Sequence, residues 1–453
     1  MNKEDQVVVA LDIGTTKVCA IAGRKNEYGK LEILGIGKVE SEGVLRGVVS
    51  NIEKTVKAIS DAVKMVEERT GMRITNVHVG IAGQHITSRQ HRGILTRNET
   101  EREIDFTDIE RIISDMHKLV LPPGDKILHV IPQEFIVDNE QGILDPIGMS
   151  GVRLEANFHI ITGQISASRN INKCVEKSGL DVSSLTLEPI ASAASVLSEE
   201  EKEAGVALVD IGGGTTDLAI FHEGIIRHTS VIPFGGNVIT KDIKEGCTVM
   251  YQQAEQLKVK FGAALTDEIV ENRVITIPGL KGREPKEISE VNLARIIQAR
   301  VEEIFDHVFW EIRRSGFERK LIGGIVLTGG GSLLKHIEKL VAYHTGLSTR
   351  IGQPIEQLAH GYQKEVCSPI YATSIGLLLK GFTVPVKQKP VIQQIEDAAI
   401  PATVNAAGTT AEEHINAIKN GQGELNLTFK DTWYENLFKK TKAWFEEEPD
   451  TKF

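Results

Sequence analysis

Val206-Ala207-Leu208-Val209-Asp210-Ile211-Gly212-Gly213-Gly214-Thr215-Thr216-Asp217, continued by Leu218-Ala219-Ile220-Phe221, is the stretch whose reading decides the fold. An apolar strand ends on an acid, glycines and threonines turn the chain, and a second apolar strand returns. The same unit stands near the N-terminus as Val7-Val8-Val9-Ala10-Leu11-Asp12-Ile13-Gly14-Thr15-Thr16-Lys17, followed by a β-like run from Val18 to Ala22. The two aspartates lie 210 − 12 = 198 residues apart. Glycine and small hydroxyl residues let backbone N–H groups turn inward around an anion, which suits a phosphate. A carboxylate would repel that phosphate, so Asp12 and Asp210 are expected to hold Mg²⁺ through water between two facing hairpins. One copy alone reads equally as a β-hairpin with Gly and Asp as turn formers. Its recurrence, with Asp-Ile-Gly and Thr-Thr in both copies, points to a nucleotide clamp.

A third glycine cluster, Thr328-Gly329-Gly330-Gly331-Ser332, lies between the apolar run Ile325-Val326-Leu327 and an expected helix from Leu333 to Tyr343. Such a loop lets a flat ring or a phosphate approach the backbone beside a helix N-terminus, although a left-handed turn into a helix needs glycine as well. No G-x-x-x-x-G-K-[ST] or G-x-G-x-x-G run occurs, which disfavours the two commonest nucleotide folds.

The bulk of the chain sets limits on this reading. Its 453 residues imply roughly two to four domains, and 41% hydrophobic with 25% charged residues is a globular composition. A net charge of −10, from 52 basic and 62 acidic residues, supplies no overall field for a nucleic-acid backbone. Cys19, Cys174, Cys247 and Cys367 are widely spaced, which gives neither a zinc knuckle nor a disulfide framework and suits a reducing cytosol. His78, His85, His91, His117 and His129 show no metal-ligand spacing. The N-terminus lacks the apolar core of a signal peptide, and no run reaches the ~18 apolar residues of a spanning helix.

Two Asp-Ile-Gly hairpins, the late Thr-Gly-Gly-Gly loop and the small-residue helices Ala191-Ser192-Ala193-Ala194-Ser195 and Ala372-Thr373-Ser374-Ile375-Gly376 together resemble the actin, Hsp70 and hexokinase superfamily. The resemblance covers residues 5 to about 383. Within it, Gly80-Ile81-Ala82-Gly83, the run from Arg153 to Gly163, and Ala254-Glu255-Gln256-Leu257-Lys258 resemble the FtsA family of actin-like bacterial cell-division proteins. The resemblance implies a two-lobed α/β actin-like ATPase fold, with a duplicated mixed-sheet core and inserted subdomains. Residues 1–86 and 157–195 would form the first core subdomain, 87–156 an insert, 196–246 and 320–383 the second core subdomain, and 247–319 a further subdomain of the second lobe.

It implies ATP and Mg²⁺ as ligands. Asp12, Gly14, Thr15, Thr16 and Lys17 would make the first phosphate loop, and Asp210, Gly212, Gly213, Gly214, Thr215 and Thr216 the second. Thr328, Gly329, Gly330 and Gly331 would lie against adenosine, while Glu255 and Lys258 would grip ribose and base. Read without the family, Glu255 and Lys258 are also a solvated i, i+3 pair. Glu188, ahead of Pro189 and the helix Ile190 to Leu197, would orient an attacking water; as a plain residue it is equally an acid stabilising a helix N-terminus. ATPase activity is therefore expected to be weak at most. The implied partners are the C-terminal tail of FtsZ at the 247–319 subdomain, with Arg300 in that region, a second copy in a filament, and later division proteins at the insert.

Residues 384–428, rich in Pro, Gln, Ala, Thr, Asn and Gly, read as a flexible tether of roughly 35 to 40 Å. At about 100° per residue, Trp433, Tyr434, Leu437, Phe438, Thr441, Trp444 and Phe445 share one helical face. Lys439, Lys442, Asp431 and Glu435 take the other, with Lys440 at the border. The segment 429–447 thus reads as an amphipathic membrane-targeting helix, each lysine worth roughly 1 kcal/mol against an anionic leaflet. Packing back onto the body is its alternative, and Glu446-Glu447-Glu448 weighs against lipid. The expected role is a peripheral protein on the cytoplasmic face of the cell membrane at the division site, tethering the FtsZ ring. The alternatives are a sugar or carboxylate kinase using Glu188 or Asp217, an Hsp70-like chaperone, and a pilus-assembly relative.

Overall fold

A computed structural model describes residues 6–97, 102–279, 284–359 and 364–383. The tether and the terminal helix lie outside the described residues. Lobe I is built on β1 (Val7–Ile13), β2 (Lys17–Lys25), β3 (Leu31–Glu40), β4 (Asn76–Ile81) and β5 (Asp181–Leu187), in the spatial order β5-β4-β1-β2-β3. Lobe II is built on β6 (Val206–Ile211), β7 (Thr216–His222), β8 (Ile225–Ile232), β9 (Ile325–Thr328) and β10 (Thr349–Ile351), in the order β8-β7-β6-β9-β10. In both sheets the first three strands form an antiparallel meander, the first strand also pairs in parallel with the fourth, and the fourth pairs in parallel with the fifth. The duplicated hairpins thus sit at the same place in two sheets of one topology. Nearly every residue of β1 and β6 is buried, because helices cover both faces; that is why these strands read as continuous apolar runs.

Among the described helices, α1 (Glu188–Val196) lies between the two sheets, α2 (Gly236–Cys247), α3 (Tyr251–Phe261) and α4 (Glu290–Ser315) belong to lobe II, and α5 (Ala372–Gly381) crosses α1. Although α5 follows the second half of the chain, it packs into lobe I. Ile375, Leu377 and Leu378 share a core with Val8, Ala10, Cys19 and Ile21. The expected boundary that kept 320–383 together in the second lobe is corrected here: α5 is apolar nearly all round and fills the face of the first sheet. It crosses α1 so closely that a Cβ on Gly376 would lie 1.8 Å from Ala191 O.

The insert is a four-stranded antiparallel sheet, ordered Thr87–Thr96, Arg153–Gln164, Asp125–Val137, Glu140–Ile143, carrying the helix Phe106–Met116. A capping box on Asp105 starts that helix, and its buried face is Ile109, Ile112, Ile113 and Met116. The expected insert ends at 156, with the core resuming at 157. Instead Arg153–Gln164 is one continuous strand, paired along its length with Thr87–Thr96, so residues 157–164 belong to the insert. Asp125–Val137 is one long strand whose register against Arg153–Gln164 shifts twice.

In lobe II, α2, α3, the hairpin Val274–Ile277 with Lys286–Ser289, and α4 share one apolar core with β6, β7 and β9. Along α4, Leu293, Ile297, Val301, Ile304, Val308 and Ile312 recur at helical spacing and face that core.

Candidate nucleotide-binding cleft

Each hairpin closes its turn in the same way: Gly14 N–H donates to Lys17 O and Gly212 N–H to Thr215 O, both at 2.9 Å. The tips face each other. A Cβ on Gly213 would meet Thr16 Cγ2 at 2.2 Å, and one on Gly214 would meet Thr15 Oγ1 at 2.6 Å. Only glycine lets the second turn approach the first so closely.

The two acids behind the turns are fixed by the crossing helices. Ser374 Oγ donates to Asp12 (3.2 Å), and Lys17 forms an ion pair with the same carboxylate. Ser192 Oγ (2.8 Å) and Thr373 Oγ1 (3.2 Å) donate to Asp210. The small residues of α1 and α5 therefore do two jobs: they permit the close crossing, and they orient both aspartates. Ser192, Thr373, Ser374 and the glycines Gly235 and Gly236 were not picked out as site residues on the sequence. Gly235 lies where a Cβ would reach Gly212 O at 2.6 Å, and the N–H groups of Gly236 and Asn237 donate to Gly212 O and Gly213 O. The Phe234-Gly235-Gly236 run between a strand and a helix was the available signal.

Glu188, at the first position of α1, lies against the bare Cα of Gly80, where a Cβ would meet its Oε1 at 3.1 Å. Burial, then the charges of Asp12, Asp217 and Asp210, hold its pKa well above the ordinary carboxylate value. Burial and Asp12 push Asp210 upward despite the bond from Ser192, and burial with Asp210 pushes Asp217 up to about 7. Asp217 pairs across the strands with Asp210 and takes a bond from Thr215 Oγ1 (3.1 Å), while its other oxygen has no hydrogen-bond partner. Four acids thus lie together behind the turns, with the Lys17 ammonium against Asp12. Burial alone would lower the Lys17 pKa; Asp12 outweighs it, so the group stays protonated. Among the described residues no three His, Cys, Asp or Glu side chains converge as direct metal ligands.

On the other wall, Lys258 Nζ reaches Gly236 O (3.0 Å), Thr240 Oγ1 (2.8 Å) and Glu255 (2.8 Å), and Thr240 also bonds Glu255. Lys258 is mostly buried, so these residues are not a solvated pair; they pin α3 to the helix that starts beside the second turn. Thr328 is buried and bonded to Gly352 O and Pro369 O. Gly329, at φ +80°, sits where a Cβ would strike Asp210, and Gly331 sits against Ile211. Gly330 alone faces open space, with nothing nearer than Ile370 at 4.0 Å. The helix expected from Leu333 begins instead at Ile337, after a 3-10 turn over Gly330–Leu333 and a left-handed His336. The hydroxyls of Thr215 and Thr216 are committed inside lobe II, the latter to Phe234 O, and Thr15 Oγ1 accepts from Gly47 N–H. Arg300 lies away from this cleft on α4, bound to Asp242 and Glu303.

Two sheets of one topology, crossed helices and paired acid-ended hairpins are the makings of an actin-like protein. A family model described as cell division protein FtsA matches residues 207–376, and one described as the SHS2 domain inserted in FtsA matches 83–162, which coincides with the insert's observed limits. The chain is 43% identical over 376 residues to the cell division protein FtsA of Pseudomonas aeruginosa, covering 83% of this chain and 89% of that one. It is 36% identical over 388 residues to that of Escherichia coli, covering 83% and 90%. The chain belongs to the FtsA family and is an actin-like cell-division protein. A solved PilM-PilN type IV pilus biogenesis complex shares the fold, with a TM-score of 0.59 at 16% identity over 83% of this chain and 98% of that one.

Proposed function

We propose that the cleft binds ATP with Mg²⁺, and that the protein assembles with copies of itself and tethers the FtsZ ring to the cytoplasmic membrane at the division site. What carries the reading is that turns 14–16 and 212–214, Lys258 and the open face of Gly330 converge from separate parts of the chain around Asp12 and Asp210. The acids fit a metal held through water: one oxygen of each is already taken by Ser374 or by Ser192 and Thr373, and no direct ligand set forms among the described residues. Such a metal would offset phosphate charge against this acidic wall. Lys17 supplies the cation at the first turn, Gly330 gives room for the nucleoside, and Glu255 with Lys258 borders it. Burial and the acids around it raise the Glu188 pKa above the ordinary carboxylate value, which suits weak hydrolysis better than fast turnover.

Family membership supports the rest. The α3–α4 region would receive the FtsZ tail, with Arg300 exchanging its own acids for groups of that peptide, and the insert would take later division proteins. No described helix is long and apolar enough to cross a membrane. Attachment is assigned to the aromatic face of Trp433, Tyr434, Leu437, Phe438, Trp444 and Phe445 with Lys439 and Lys440. Two arms test the proposal. Calorimetric titration with Mg-ATP should show at least about a tenfold loss of affinity in Asp210→Ala, a difference of about 1.4 kcal/mol; unchanged affinity removes the clamp. Anionic vesicles should sediment the full chain but not one ending at Thr428, and equal sedimentation of both removes the anchor.

A further inference from the structure

The lobes meet at the crossing of α1 and α5 and at the facing turns, and a second meeting place lies on the insert. The insert's chain leaves and rejoins lobe I, yet its sheet lies against β8, the edge strand of lobe II. Ser88 Oγ donates to Thr229 O (3.0 Å), Gln90 Nε2 to Arg227 O (3.3 Å) and Gln133 Nε2 to Ile226 O (2.8 Å). In return the Arg227 guanidinium donates to Gln133 O (3.3 Å), and His159 Nε2 lies 3.3 Å from Thr229 Oγ1. An edge strand presents carbonyl and N–H groups that want partners. Here side chains of the insert, not a further strand, supply them.

The chemistry of this seam makes it reversible. Gln133, His159 and Thr229 are buried, so their polar groups are satisfied either when docked or when fully hydrated, and a partly opened seam is the costly state. Four of its five contacts run from a side chain to the backbone and the fifth joins two side chains, so each donor can turn to water without breaking a strand pair. A rotation about the α1–α5 crossing that separated Thr16 from Gly213 would carry β8 with lobe II, while the insert is joined to lobe I through both its ends, so the five hydrogen bonds would oppose it.

We propose that the contact between the insert and β8 is a latch that fixes the angle between the lobes, so that release of the insert and opening of the cleft are one event. Whatever binds the insert on its β8 side then reports on the cleft, and whatever fills the cleft reports on the insert.

The test is amide hydrogen exchange on the full chain without nucleotide, so its outcome does not depend on whether the cleft binds ATP. Ser88→Ala combined with Gln133→Ala should speed exchange by at least about threefold in peptides covering Asp12–Lys17 and Asp210–Asp217, some distance from the substitutions. Exchange in Ile52–Thr70, a lobe I helix remote from the seam, should be unchanged. Faster exchange confined to Ile225–Ile232, or none anywhere, overturns the latch. If Ile52–Thr70 also speeds up, the double variant is misfolded, and exposed Gln90→Ala takes its place: a rise of about 1.5-fold or more in both turns supports the latch, and none rejects it.

Discussion

Replacing Gly376 by alanine puts a methyl group into the crossing of α1 and α5. The new Cβ would stand 1.8 Å from Ala191 O and 2.3 Å from the carbonyl carbon. Both are backbone atoms, so α5 must retreat by roughly 1.5 Å to regain ordinary contact. Alanine in a helix gains at most about 1 kcal/mol over glycine, whereas overpacking costs about 1–3 kcal/mol. Retreat also draws Thr373 from Asp210 and Ser374 from Asp12, bonds to acids worth about 1.5–3 kcal/mol each when lost completely. The net expectation is a loss of about 2–4 kcal/mol. Gly246→Ala in α2 is the matched comparison, because it has the same propensity gain but its nearest neighbour is Ile296 Cδ1 at 2.7 Å, a side-chain tip that can rotate. Urea unfolding followed by circular dichroism should place the first midpoint of Gly376→Ala well below wild type and that of Gly246→Ala close to it. If the two variants unfold alike, the close helix crossing does not determine stability and the reasoning fails.

Arg97→Met should unfold the insert selectively. Its guanidinium is buried and donates to Gly151 O, Arg102 O and Glu103 O at 2.7–2.8 Å while pairing with Asp108 at 3.1 Å. Removing it leaves three carbonyls and a carboxylate short of a partner, a cost of about 3–5 kcal/mol, and limited proteolysis should cut within 84–164 well before lobe II. A second prediction concerns pH. Asp217 has its folded pKa raised to about 7 from 3.8, so between those values the folded state holds a proton that the unfolded state releases. That group's contribution therefore falls as pH rises through the window, by about 1.4 kcal/mol per unit, and is flat above it. Without nucleotide or Mg²⁺, Asp217→Asn should reduce the loss of stability between pH 5 and pH 7; an unchanged profile would place the titration elsewhere, on Glu188 or Asp210.

Much of the fold was legible because duplication repeats its own signal. Val7–Ile13 and Val206–Ile211 are apolar on both faces and carry Asp one residue before their ends, and the glycine turns that follow have one explanation that serves both copies. The errors came where sequence order and spatial order part. Nothing local in Ala372–Gly381 says that this helix fills the first sheet rather than the second. Nothing local in Asn157–Gln164 tells a core strand from an insert strand, since both are apolar and extended; only pairing with Thr87–Thr96 decides. The start of the helix after Gly331 was misplaced because Leu333 and Leu334 fit a helical period, while a 3-10 turn and a left-handed His336 precede the real start.

At the site, glycines and acids were readable because few other residues do their work, and serine and threonine were not, because those residues are ordinary almost anywhere. Ser192, Thr373 and Ser374 acquire meaning only through contacts 18, 163 and 362 residues away along the chain. These contacts are also crossed. Asp12 of the first half is held by a helix from the end of the second, and Asp210 of the second half is held by the helix that closes the first as well as by α5. Neither acid can be set without both halves in place, so the cleft is assembled by the folding of the whole body. Because Asp210 belongs to lobe II while Thr373 of α5 belongs to lobe I, a change in the angle between the lobes would be felt first at the Asp210 carboxylate.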